Sequence, residues 1–328
     1  MTIITIEEHP FAQFVRILGK GKRGARSLTR EEAAQAMGML LDRQTEDSQL
    51  GAFLMLLRHK EESAEELAGF ADAVRSRLHP PALQVDLDWP SYAGKKRHLP
   101  WYLLAAKALA GSGIRILMHG GGLHTAGRLY SEQLLEMLEI PLCSDWPGVT
   151  DALEQQKLAF IPLGCWMPEL QRMIDLRNIL GLRSPIHSLA RILTPLQARC
   201  GLQSIFHPGY QAVHRDASQL LGDNVIVIKG EGGEIEVNPD SACQLLGSSA
   251  QGVWSEDWPA MSAQRHVKPE RLEPEKLLSV WHGQATDDYA QQAVTGTMAL
   301  ALRGLGHSRE QALEQARVIW DKRLNRQA

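Results

Sequence analysis

The cations of this chain are gathered into two long stretches that contain no acid. Residues 89–131 carry Lys95, Lys96, Arg97, Lys107, Arg115 and Arg128. Residues 176–215 carry Arg177, Arg183, Arg191, Arg199 and Arg215. Lysine holds a phosphate as a point charge, and arginine is a planar fork that can place two bonds on one phosphate. Two such blocks predict a site for phosphates or another polyanion, against the alternative of a solvated basic surface. A third cluster, Arg16, Lys20, Lys22, Arg23 and Arg26, runs through glycines and reads as a basic arm. The chain as a whole has 328 residues and a net charge of −3. The bulk balance alone argues against a nucleic-acid binder, but the segment distribution reverses that inference, because net charge says nothing of where charges sit.

Other candidate chemistry is thinner. Glu231, Glu234 and Glu236 alternate along Gly230–Val237 rather than adjoin. His119-Gly120-Gly121-Gly122 has the look of an esterase oxyanion loop, but that reading needs a G-x-S-x-G nucleophile elbow and none is present. Cys143, Cys165, Cys200 and Cys243 form no metal-binding pair, so free thiols in a reducing cytoplasm are expected. No run approaches the ~18 apolar residues of a membrane span. The opening MTIITIEEHPFAQF lacks the basic-then-apolar pattern of a secretory signal.

Elements must carry these residues. Residues 1–78 read as helices, with capping boxes at Thr29-Arg30-Glu31-Glu32 and Ser63-Ala64-Glu65-Glu66. Asp47 or Ser48 is expected to cap a buried helix through GAFLMLLRHK. His79-Pro80-Pro81 ends the helical region, and residues 79–92 read as a hinge. From there strands and helices alternate. Strands are expected at Val85–Leu87, Ile114–Met118, Ala159–Pro162, Asn224–Lys229 and Glu234–Val237. Helices are expected at Trp101–Ala110, Ser131–Leu138, Asp287–Leu302 and Ser308–Arg323, with a turn at Pro90–Gly94. The fold class is α/β: a small N-terminal helical domain, then a larger α/β domain over 93–328 with a central, mainly parallel sheet.

These patterns resemble a known family. SLTREEAAQAMGMLLDRQTEDSQLGAFLMLLRHKEESAEELAGF is similar to the N-terminal helical domain of anthranilate phosphoribosyltransferases and nucleoside phosphorylases, glycosyltransferase family 3. MHGGGLHTAGRLYSEQLLEMLEI resembles that family's KHG strand–loop–helix, and Leu176–His187 resembles its R-x-x-LG-x-RT-x-FN stretch. The departures are specific. Ser91-Tyr92-Ala93-Gly94-Lys95-Lys96 stands where the family has its glycine-rich GTGGDG pyrophosphate loop. Gly230–Glu236 stands where it has an adjacent Asp-Glu pair for magnesium, His187 replaces an asparagine, and Arg191 replaces a proline.

With those departures the chain resembles the YbiB-type offshoot of the family. That resemblance implies a non-enzymatic homodimer, joined through the N-terminal helices, that binds DNA or RNA largely without sequence preference and needs no cofactor. The expected phosphate-binding residues are Lys95, Lys96, Arg97, His119, Arg172, Arg177, Arg183, His187 and Arg191. Arg177 is alternatively a partner for a nearby carboxylate, and His187 a core histidine. Tyr92 and Trp101 are weighed as stacking platforms for bases. Two other functions stay open: a phosphoribosyltransferase that uses phosphoribosyl pyrophosphate and magnesium with an altered acceptor, and a scaffold that binds no nucleic acid.

Overall fold

The computed structural model describes residues 7–21, 23–207 and 209–324. Four helices open it: α1 (Ala12–Gly19), α2 (Arg30–Leu41), α3 (Asp47–Lys60) and α4 (Ala64–Arg75). Both capping boxes form. Thr29 Oγ1 accepts from the Glu32 N–H at 3.2 Å, and the Glu32 carboxylate accepts from the Thr29 N–H at 2.9 Å. Ser63 and Glu66 repeat the exchange at 3.2 and 2.8 Å. Helix α3 differs from expectation: its cap position is Glu46, whose N–H donates to Gln49 Oε1 at 3.1 Å, so Asp47 is already helical.

The remaining elements in chain order are β1 (Leu87–Ser91), α5 (Tyr102–Gly111), β2 (Ile116–Gly120), α6 (Trp146–Gln155), β3 (Leu158–Pro162), α7 (Leu163–Trp166), α8 (Pro168–Asp175), α9 (Arg177–Leu180), α10 (Ile186–Leu189), β4 (Cys200–Ser204), α11 (Gly209–Leu221), β5 (Val225–Ile228), β6 (Cys243–Ser249), β7 (Gly252–Trp258), α12 (Glu275–Trp281), α13 (Asp288–Gly304) and α14 (Arg309–Lys322). The strands form one seven-stranded sheet in the order β3-β2-β1-β4-β5-β6-β7. The first five are parallel, and β6 and β7 add an antiparallel hairpin. Strand alternation sends Ile116, Met118, Leu158 and Phe160 to one core, and Leu117, Ala159 and Ile161 to the other. The first core lies against α5, α13 and α14. The second is continuous with Phe11, Phe53 and Phe70 of the N-terminal helices.

That continuity corrects the hinge. Leu87–Ser91, inside the expected 79–92 linker, is β1, the central one of the five parallel strands, paired with β2 over its whole length. Pro90 is tolerated there because β1 meets β4 only at Leu87 and Asp88, so beyond them one flank of the strand is free of the ladder. Arg75 ties the helices down: it pairs with Asp223 at 2.5 Å and donates to the carbonyls of Ile192 and Leu193 at 2.9 Å.

Three further expectations change. The Ile114–Met118 strand is shifted two residues, so His119 and Gly120 belong to β2. Ser131–Leu138 has only a single 3-10 turn, Ser131–Gln133, followed by turns in which one helical bond forms, from the Leu138 N–H to the Leu134 carbonyl at 3.0 Å. Glu234–Val237 forms no strand: Gly232 and Gly233 take φ of +70° and +91°, which turns the chain across the sheet end.

Candidate functional site

The strand order reverses between β1 and β4, and the two strands part after Asp88. Such a switch point opens a crevice at the carboxyl ends of the strands, the usual ligand position in open α/β sheets. Here the crevice is a cleft of about 160 Å³ lined by Ala93 from the end of β1, Ser204 and Phe206 from the end of β4, Gly233, and the arginines Arg128, Arg183 and Arg191. Arg58 and Glu62, at the end of α3, close it from the helical side. Drug-sized ligands fill roughly 300–1,000 Å³, so this volume suits a single compact anionic group.

Arg128 of one acid-free stretch and Arg183 and Arg191 of the other line this cleft, and Arg177 lies behind them. Arg177 donates to the His124 carbonyl at 2.7 Å, and Arg183 to Thr125 Oγ1 at 3.2 Å. Arg191 donates to the His187 carbonyl, and its guanidinium lies 5.9 Å from the Tyr92 ring. Arg128 donates to the carbonyls of Ala93, Gly94 and Gly232 at 2.9–3.2 Å. All these acceptors are carbonyl or hydroxyl oxygens, so among the described residues no carboxylate touches the four guanidiniums. Burial, then the charges of Arg191, Arg128 and Arg177, pull Arg183 down to about 10. Arg191 is lowered by burial as well, with Glu234 acting in the opposite direction. Glu234 acts on Arg191 by charge alone, and none of the four guanidiniums has a carboxylate within hydrogen-bond reach, which marks a place for an anion.

His187 and Ser184 sit beneath these arginines. His187 is buried, and its Nδ1 donates to the Ser184 carbonyl at 3.1 Å. Its Nε2 and the Ser184 and Ser204 hydroxyls are buried without a protein partner. Burial, with His124 and Arg191 nearby, lowers the His187 pKa well below its ordinary value, so the ring is neutral at pH 7.

Other expected site residues lie elsewhere. Lys95 is fully buried; its Nζ pairs with Glu236 Oε1 at 2.5 Å and donates to the Glu231 carbonyl at 3.2 Å. It is therefore a core ion pair and not part of a basic groove. Lys96 and Arg97 are exposed beside it. His119 is buried between Tyr92, whose hydroxyl is 2.7 Å from Nδ1, and Asp88, 3.1 Å from Nε2. That chain satisfies the ring and leaves no route to a ligand. Arg172 pairs with Glu169 at 3.1 Å, in a surface network that includes Arg43. Tyr92 and Trp101 are buried, so neither presents a face for a base. Of the N-terminal cluster, Arg16 pairs with Glu8 and Arg26 with Glu32, while Lys22 lies outside the described residues.

The Glu231–Glu236 run is the candidate metal ligand set, and its geometry does not fit one. Glu236 Oε2 accepts from the Tyr102 N–H at 2.9 Å while Oε1 holds Lys95. Glu234 Oε1 accepts from the Ala93 N–H at 2.7 Å and the Gly94 N–H at 2.6 Å. Both oxygens of Glu236 and one of Glu234 are taken by the protein's own donors, and among the described residues no three His, Cys, Asp or Glu side chains converge on a point. Magnesium takes one or two protein carboxylates beside water and substrate phosphate, and here the carboxylate oxygens are engaged by Lys95 and by backbone N–H groups.

Helical bundle, parallel sheet and switch-point cleft together define the anthranilate phosphoribosyltransferase fold. Residues 14–78 match the model of the glycosyl transferase family helical bundle domain. Over 95% of this chain and 98% of the other, the structure superimposes on anthranilate phosphoribosyltransferase from Thermus thermophilus with a TM-score of 0.69 at 21% identity. The Saccharomyces cerevisiae enzyme in complex with PRPP and Mg gives a TM-score of 0.76 at 16% identity, over 98% and 94%. By sequence, the chain is similar to the Escherichia coli (strain K12) protein YbiB, 27% identical over 72% of this chain and 75% of that protein. It is also 28% identical to anthranilate phosphoribosyltransferase from Anaeromyxobacter sp. (strain Fw109-5), over 62% of each chain.

Among the described residues no helix is long and apolar enough to cross a membrane. The four cysteines are free, and Cys165 alone of them is exposed.

Proposed function

We propose that this chain is a phosphoribosyltransferase-type protein whose arginine cleft holds the phosphate of a phosphoribosyl ligand and whose acceptor is not anthranilate. One observation carries the reading: Arg128, Arg183 and Arg191 line the switch-point cleft without a carboxylate in contact, and Arg177 holds the His124 carbonyl beside His187. The similarity to anthranilate phosphoribosyltransferases supports the donor class. His187 and Arg191, which replace an asparagine and a proline of the family pattern, support a changed acceptor. The occupied carboxylates Glu234 and Glu236 support binding that does not require magnesium. Calorimetry with phosphoribosyl pyrophosphate, run with magnesium and with EDTA, tests this. Similar micromolar binding in both is expected, and no binding in either removes the reading.

A second reading rests on the meeting of the two acid-free stretches near exposed Lys96 and Arg97. In it the cleft takes a backbone phosphate of DNA or RNA. Oligonucleotide titration at two salt concentrations tests it, since each neutralised phosphate contributes a slope of roughly −0.7 for single strands. Either reading includes a cytoplasmic homodimer joined through the N-terminal helices, which light scattering checks.

A further inference from the structure

We propose that the Glu234 carboxylate is the built-in occupant of an anion seat, and that a phosphate ligand binds by displacing it from the Ala93 and Gly94 N–H groups. The inference rests on the phosphate-binding reading of the cleft and adds how that site is closed and opened.

The seat is a pair of consecutive backbone amides. The N–H groups of Ala93 and Gly94 converge on one oxygen, Glu234 Oε1, at 2.7 and 2.6 Å. Successive amides that point into a shared concavity form an anion nest. Gly94 has φ of +67°, which allows the turn that brings both amides round. The seat adjoins the cleft: Ala93 and Gly233, which flank the amides and the glutamate, are among its walls, as is Arg191, whose charge acts on Glu234.

The present occupant fits poorly. Glu234 is fully buried, yet its second oxygen, Oε2, has no hydrogen-bond partner. Lys95, which follows the two amides on the loop after β1, is spent on Glu236. Burial consequently raises the Glu234 pKa, although the two amides, Arg191 and Ser91 oppose the rise. A buried carboxylate with an unsatisfied oxygen is costly to hold. Ser184 and Ser204 add two buried hydroxyls without partners on the same cleft. A phosphate, with three strong acceptor oxygens, can engage the amides, the hydroxyls and the arginines together, and a two-oxygen carboxylate cannot.

The segment that carries Glu234 is built to be both held and released. A Cβ at Gly230 would lie 1.8 Å from the Glu234 carbonyl oxygen and 2.4 Å from Ser204 Oγ, so the loop closes tightly on the end of β4. Gly232 and Gly233, both left-handed, directly precede the glutamate and have backbone angles open to them that other residues rarely adopt.

The test is titration calorimetry of the full chain with inorganic pyrophosphate in EDTA, on the wild type, Glu234→Ala and Glu234→Gln. Both variants should bind at least tenfold more tightly than the wild type. The Gln variant keeps the shape, so it serves if the Ala variant melts early. The Gly94 amide resonance should move on titration, because the ligand takes its hydrogen bond. Unchanged or weaker binding in both variants, absence of binding in all three proteins, or a Gly94 amide that does not respond overturns the proposal. Arg183→Ala separates it from the underlying reading. If Arg183→Ala weakens binding while the Glu234 variants do nothing, the cleft reading stands and the displacement falls. If the Glu234 variants tighten binding and Arg183→Ala has no effect, the seat stands and the arginine assignment falls.

Discussion

Lys95 and Glu236 are 141 residues apart in sequence and meet in an ion pair of 2.5 Å with neither side chain reaching water. The pair joins the loop after β1 to the loop after β5, and Glu236 extends the link to the first turn of α5 through the Tyr102 N–H. A lysine that reads in sequence as part of a basic surface is thus a strut between three elements.

Removing one member of this pair should be expensive. Lys95→Met leaves Glu236 buried and unpaired, a change that typically costs about 3–5 kcal/mol. The double variant Lys95→Met/Glu236→Gln keeps an acceptor for the Tyr102 N–H and should recover most of that loss. Urea denaturation of the two single variants and the double variant closes the cycle. Additive losses would show that the pair is not a coupled unit.

Arg183 and Arg172 should behave oppositely. Arg183 lies in the cleft with no carboxylate in contact, whereas Arg172 pairs with Glu169 at the surface. A charge-assisted hydrogen bond is worth roughly 1.5–3 kcal/mol, about tenfold to a hundredfold in affinity. Arg183→Ala should weaken phosphoribosyl pyrophosphate binding by that factor. Arg172→Ala should leave it within about twofold, since exposed pairs contribute little. Calorimetry on the two variants reads both outcomes.

Acid should destabilise the protein earlier than its carboxylates alone would. Burial lowers His124 to about 4, His214 to about 3 and His187 well below its ordinary value. The unfolded chain takes up these protons near pH 6.5 while the folded one refuses them, so stability falls as pH drops through about 6.5 toward 4. Equilibrium unfolding at a series of pH values from roughly 7.5 down to 5 measures the slope. His214→Gln should flatten it, because an amide can still hydrogen bond to Gln203, which His214 contacts at 3.0 Å.

Gly69 should tolerate no side chain. It lies where α4 crosses α2, and a Cβ there would meet the Arg30 carbonyl oxygen at 2.1 Å and Ala33 Cβ at 2.8 Å. Overpacking of this kind costs about 1–3 kcal/mol. Gly69→Ala should therefore lower the melting temperature, against the small gain that alanine gives at an open helical position. A melt equal to the wild type would mean that the two helices separate freely.

The starts of α2 and α4 were legible because a capping box is local: Thr29 with Glu32 and Ser63 with Glu66 exchange hydrogen bonds three residues apart, whatever else the chain does. The parallel core was legible in its alternation of strands and helices, and the arginines of residues 176–215 as cations without local acids. Tertiary structure decided which of those cations remain free. Lys95 is neutralised by Glu236, Arg199 is paired with Asp86 at 2.9 Å, and Lys107 with Glu139 at 3.2 Å. Arg128, Arg177, Arg183 and Arg191 meet only carbonyls and a hydroxyl. Charge compensation is settled by distance in space, and the partner of a buried lysine can stand 141 residues away. For the same reason the seat at Ala93 and Gly94 was invisible in sequence: its donors are backbone amides, and the residue that fills it comes from a loop on the far side of the switch point.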